Sequence, residues 1–131
     1  MTPSTSLVVS AILTFVMLLV ASLSRAKAWT LSGFILALGN RDNVPEPTAF
    51  AARADRAAKN MLEGLVLFAA LLLAASSAHV ADSALAQPCA IFVYARIAYA
   101  LVYWAGIKYL RTIVWAVSIA GLSALARLTL A

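Results

Sequence analysis

A ladder of polar residues that runs straight into a charge-free apolar stretch constrains this chain more than any other feature. Residues 52–68 read ARADRAAKNMLEGLVLF. Arg53, Arg56, Asn60 and Glu63 recur at intervals of three and four. In a helix of about 3.6 residues per turn they share one face, within roughly a quarter of the circumference. No charged residue follows between positions 64 and 78. The ladder therefore enters membrane-grade sequence, where an ionisable side chain is costly and turns towards partner helices or a wet cavity. These residues read as the floor of a polar site between helices.

Composition decides which solvent the rest of the chain meets. Of 131 residues, 64% are hydrophobic and 11% charged, against about 45–50% and about 25% in an ordinary soluble domain. A soluble domain of this length cannot hide that much apolar surface, so the chain reads as an all-α integral membrane protein. A net charge of +5 points to nucleic acid only if it forms a soluble patch. Here the basic residues flank apolar runs, which membrane orientation explains, so no nucleic-acid partner is expected. The single cysteine, Cys89, rules out an intrachain disulfide and a cysteine-built metal site, and one histidine argues further against zinc.

Four spans are predicted, over about residues 5–24, 49–77, 88–108 and 112–127, as one domain. The first contains the run LVVSAILTFVMLLVASL, with Arg25 and Lys27 after it and no basic residue before it. That order favours a retained span over a cleaved signal peptide. Residues 29–39 are apolar but too short to cross, and either extend the first helix or lie at the interface. NRDNVPEP (40–47) is a loop, and Thr48 is placed to cap the next helix. That second helix is longer than one crossing, so its charged first turns project from the slab or sit in a hydrated cavity. A polar break over 76–87 precedes Pro88, which suits the first turn of the third helix. Most basic residues then fall beside the first and third loops. The positive-inside rule places those loops in the cytoplasm and both termini outside, with Arg127 an exception.

The third span contributes a second polar face. Arg96, Tyr99 and Tyr103 are spaced by three and four, and Arg111 follows in a short basic turn. Guanidinium groups at this density suit an anionic ligand, since their fork matches a carboxylate. Glu63 is available to neutralise an arginine or to accept an ammonium group, and a small zwitterion with several carboxylates fits the set. The same spacing equally allows an ion pair of Glu63 with Arg56 or Arg96 that staples the bundle. Tyr94 and Tyr109 lie off the face and read as packing or interfacial residues. A proton-driven transporter of cations is disfavoured, because the arginines around Glu63 repel a cation.

RADRAAKNMLEGLVLF (53–68) together with YARIAYALVYWAGIKYLRT (94–112) resembles the MAPEG family, the membrane-associated proteins of eicosanoid and glutathione metabolism. The resemblance runs the length of the chain and implies a four-helix membrane bundle that forms a homotrimer, with glutathione between subunits towards the cytoplasmic side. By that resemblance Arg56, Asn60 and Glu63 are glutathione contacts from the second span, with Arg53 as an additional basic contact. Arg96, Tyr99 and Tyr103 are the contacts from the third. Arg111 resembles the arginine that stabilises the glutathione thiolate, and Thr112 stands where some members place a serine near the sulfur. Lys59 and Gly64 depart from the residues some members carry, and either Arg25 or Arg41 stands in for a first-helix arginine. The implied function is a glutathione transferase or peroxidase acting on lipophilic electrophiles that enter from the bilayer. The alternative is a non-catalytic lipid- or thiol-binding protein on the same scaffold. The short, alanine-rich chain with compact loops suggests a bacterial member in the inner membrane.

Overall fold

The computed structural model describes residues Met1–Ala131. Five helices follow in order: α1 (Pro3–Ala26), α2 (Leu31–Leu38), α3 (Ala49–Ser77), α4 (Asp82–Ala105) and α5 (Lys108–Leu130). All but α2 are long and apolar enough to cross a bilayer. They form an antiparallel bundle in which α1 packs chiefly on α3 and α4 on α5.

Helix α1 is inverted relative to one of a soluble bundle. On α1 the inward face carries Ser6, Ser10, Thr14, Met17 and Ala21, all buried, while Val8, Ile12 and Phe15 point outward. Small and hydroxylated residues inside let backbones approach closely, and lipid tails cover the apolar exterior. Two of the three hydroxyls are satisfied locally: Ser6 Oγ donates to the Thr2 carbonyl at 2.8 Å, and Thr14 Oγ1 donates to the Ser10 carbonyl at 2.7 Å, while Ser10 Oγ is buried without a partner. On α3 the buried line is Ala51, Ala54, Ala57, Met61, Gly64, Phe68, Leu72 and Ala75, again with small residues where helices meet.

Thr48 caps α3 as its position predicts, accepting from the Ala51 N–H at 3.1 Å. At 29 residues α3 is about 43 Å long, against a hydrocarbon core of about 30 Å, so its charged first turns extend past the slab. The stretch after α1 is a separate helix rather than an extension. Lys27 takes the left-handed conformation at the end of α1, and Thr30 starts α2 by accepting from the Gly33 N–H at 3.0 Å. Trp29, Leu31, Ile35 and Leu38 are left exposed.

Two boundaries differ from the sequence reading. Helix α4 begins at Asp82, so Pro88 lies in its second turn rather than its first. A proline there cannot donate to the carbonyl of residue 84, but membrane helices tolerate the gap when a neighbour packs over it. Gly121 of α5 packs closely one turn beyond that gap: a Cβ on it would lie 3.1 Å from both the Pro88 carbonyl oxygen and the Phe92 nitrogen. The last span starts at Lys108, earlier than 112, because the break falls at Gly106 (φ +78°). The basic turn therefore belongs to the first turns of α5.

Two apolar clusters fill the bundle. One holds Met17, Ala54, Ala58, Met61, Tyr99 and Tyr103; the other holds Phe68, Leu72, Leu85, Phe92, Val93 and Leu125. Arg96, 1% exposed, belongs to neither cluster, although its α4 neighbours Phe92 and Tyr99 fall one in each.

Candidate functional site

The bundle has its polar machinery at the end where α3 begins and α4 turns into α5. A cavity of about 240 Å³ opens there, lined by Asn60 of α3, Tyr99 and Tyr103 of α4, and Arg111, Thr112 and Trp115 of α5. Five of these are residues that the sequence singles out. Helix periodicity brings them together: Tyr99 and Tyr103 stand one turn apart with ring centres 5.3 Å from each other, edge to face. Arg111 faces them across the two-residue break, its guanidinium carbon 5.1 Å from the centre of the Tyr103 ring.

Behind the cavity wall lies Arg96. Its Nη1 donates to Asn60 Oδ1 at 2.7 Å, and its guanidinium sits 5.4 Å and 5.5 Å from the rings of Phe92 and Tyr99. Gly64 makes this burial possible. A Cβ at that position would come within 2.8 Å of the guanidinium carbon. The departure at Gly64 is thus a notch shaped for Arg96. The bond also fixes Asn60: its oxygen is occupied, and its amide N–H groups remain for a ligand. Arg96 does not line the cavity, so its action on the site runs through Asn60 and the Tyr99 ring.

The remaining predicted residues divide. Arg56 Nε donates to the Tyr103 hydroxyl at 3.3 Å, which ties α3 to the cavity's edge. Glu63 is exposed and pairs with no cation; the one ion pair is Lys59 with Asp55 at 2.9 Å. The staple between Glu63 and an arginine is therefore absent within the chain. Arg53 stands apart, its Nη2 3.4 Å from the Trp104 carbonyl at the end of α4. Of the two arginines near the first loop, Arg25 shares an open recess with Asp55 and Arg56 and donates to the Pro45 carbonyl. Arg41 donates to Ser22 Oγ at 2.9 Å and lies against the Ala37 carbonyl. Tyr94 and Tyr109 are exposed, away from the site.

Trp115 is the lining residue that the sequence reading passes over. It sits four residues beyond Arg111, one helical turn, and that spacing was the available signal.

No carboxylate lines the cavity, and Arg111 faces it with Arg56 and Arg96 close behind. Such a set receives an anion and offers neutral donors and acceptors around it. Fold and site together define a multi-pass helical membrane protein with a cationic pocket at one end of the bundle. The model of the MAPEG family matches residues 3–131, essentially the whole chain, and the protein belongs to that family. Its members include glutathione transferases and related proteins. No curated protein and no solved structure matches the chain.

Proposed function

We propose that the protein binds glutathione in the cationic cavity and activates it for attack on lipophilic electrophiles. The carrying observation is the cavity lining: Arg111 beside Asn60, two tyrosines and Thr112, with no carboxylate to neutralise the cation. Glutathione presents two carboxylates, an ammonium group and a thiol. Arg111 holds positive charge where the sulfur must lie, which favours thiolate over thiol, and the thiolate is the nucleophile. The Thr112 hydroxyl is one residue away and donates to the same sulfur. The thiol proton leaves to water. With an aryl halide the sulfur lone pair forms the C–S bond and the halide leaves with its bonding pair; with a peroxide the sulfur takes one oxygen as the O–O bond breaks, giving the sulfenic acid of glutathione and an alkoxide that takes a proton from water. In the peroxide case a second glutathione thiol completes the reduction as the disulfide forms.

A single chain supplies only part of such a site. Its cavity of about 240 Å³ falls short of the roughly 300–1,000 Å³ of ordinary small-molecule pockets. Glu63, midway along α3, faces outward, with Arg56 two turns before it, and an ionisable group at the depth of Glu63 requires a polar neighbour. A neighbouring copy that covers α3 meets both needs. We therefore read the active form as an oligomer, and take from the family resemblance that it is a homotrimer with glutathione between subunits, Glu63 accepting the ammonium group and Arg56 a carboxylate. The basic end of the bundle then lies in the cytoplasm, in keeping with the positive-inside rule.

Replacing the thiolate partner tests the assignment. Arg111→Ala is expected to lower turnover with an aryl halide by about a hundredfold, the cost of removing one oxyanion-type donor, with glutathione affinity nearly kept. Equal loss of both would make Arg111 a binding residue and move sulfur activation elsewhere.

A further inference from the structure

Arg53 belongs to the polar ladder by sequence, yet its guanidinium is committed to another part of the molecule. Helix α4 ends in a tight reversal. Gly106, with φ +78°, turns its N–H back to the Tyr103 carbonyl at 3.1 Å, and the Ile107 N–H reaches the Val102 carbonyl at 3.2 Å. This is the glycine-terminated helix end that satisfies the last carbonyls. Only Gly106 and Ile107 separate α4 from α5, whose N-cap has no side-chain bond. The elbow thus carries α5 across with little support of its own.

Arg53 supplies that support from α3. Its Nη2 lies 3.4 Å from the Trp104 carbonyl oxygen, and its guanidinium carbon would be 3.3 Å from a Cβ on Gly106. The guanidinium therefore fills the notch that the missing side chain leaves. Its charge also suits the carbonyl-rich end of α4. Its Nε is buried without a partner, so no ligand reaches that edge of the group. The cavity beside Arg111 does not include Arg53. Arg111 stands one turn into α5, directly after the elbow, so its place over Tyr103 follows from the elbow's geometry.

We propose that Arg53 is a positioning residue: it clamps the Gly106–Ile107 elbow and thereby sets Arg111 against the cavity. The part of this concerning activity rests on the glutathione reading above; the clamp itself does not. Two variants remove it from opposite sides. Arg53→Met keeps the apolar stem and deletes the guanidinium. Gly106→Ala places a methyl against the guanidinium and strains the left-handed turn.

The test is amide hydrogen exchange over residues 102–112 of the full-length protein in detergent, with glutathione affinity and turnover measured on the same samples. Arg53→Met and Gly106→Ala are each expected to speed exchange at Gly106 and Ile107 by about tenfold, the effect of losing one hydrogen bond to a charged group. Turnover should fall with it, while glutathione Kd stays within about threefold. The double variant should be no worse than Gly106→Ala alone, because that variant already loses the guanidinium contact and carries the strain of the turn. Arg53→Lys, which still donates to the Trp104 carbonyl, should recover part of the loss and stands in if Arg53→Met fails to fold. Unchanged exchange with a raised Kd would make Arg53 a ligand contact and overturn the proposal, as would unchanged exchange and unchanged turnover. If the wild-type protein binds no glutathione, the exchange rates alone still decide whether Arg53 holds the elbow.

Discussion

Gly64 and Arg96 show how the site depends on single residues. A guanidinium that is 1% exposed and faces no carboxylate needs other compensation, and it has the Asn60 carbonyl and two ring faces. It fits only because position 64 lacks a side chain. Gly64→Ala is expected to destabilise the protein by about 1–3 kcal/mol, the usual cost of overpacking, since Arg96 must leave Asn60 to make room. A lowered thermal midpoint, with weakened glutathione binding as Asn60 loses its orientation, is the expected result; an unchanged midpoint would show that Arg96 moves freely. The sequence made Arg96 and Asn60 legible as polar residues on helix faces. It did not show which one touches ligand, because that depends on how closely α3 and α4 approach. Trp115 stayed hidden for a related reason: a tryptophan in an apolar run is ordinary in a membrane helix.

At the level of elements, helix ends carried the information that hydropathy did not. The long apolar runs fix that there are spans, and Thr48 fixes the start of α3. Pro88 reads in the sequence as a helix start, whereas α4 begins at Asp82 and carries the proline in its second turn. Three helices end in left-handed residues, and two of these, Lys27 and His79, are not glycine. The Val80 N–H reaches back to the Ala75 carbonyl at 3.0 Å around His79, the same closing bond that Ile107 makes around Gly106. A side chain in that conformation costs about 1–2 kcal/mol. His79→Gly is therefore expected to raise stability by about 1 kcal/mol, read as a higher thermal midpoint with activity unchanged. A lower midpoint would mean that the His79 side chain contributes packing that outweighs its backbone strain.

For the whole molecule, the polar groups on the outer face of α3 matter most. Glu63 and Arg56 are exposed on a chain whose other spans turn apolar residues outward. One chain leaves them unburied, and the proposed trimer is what would cover them; a ladder on one helix carries no sign of a second copy. The homotrimer reading predicts three copies by native mass measurement in mild detergent. It also predicts that Glu63→Gln raises glutathione Kd about tenfold, by loss of a hydrogen bond between charged groups, without shifting the thermal midpoint. A lowered midpoint with unchanged Kd would recast Glu63 as a staple between subunits.

The central claim is that the cationic cavity beside Arg111 holds glutathione as its thiolate. The most direct measurement is glutathione titration of the detergent-purified protein, followed in the same sample by ultraviolet difference absorption of the thiolate. Saturable binding with a thiolate band near neutral pH, lost in Arg111→Ala while binding persists, is the predicted result. Saturable binding with no thiolate band would contradict thiol activation and leave a non-catalytic thiol-binding protein; no binding at about millimolar glutathione, a weak-affinity threshold, would contradict the glutathione site itself.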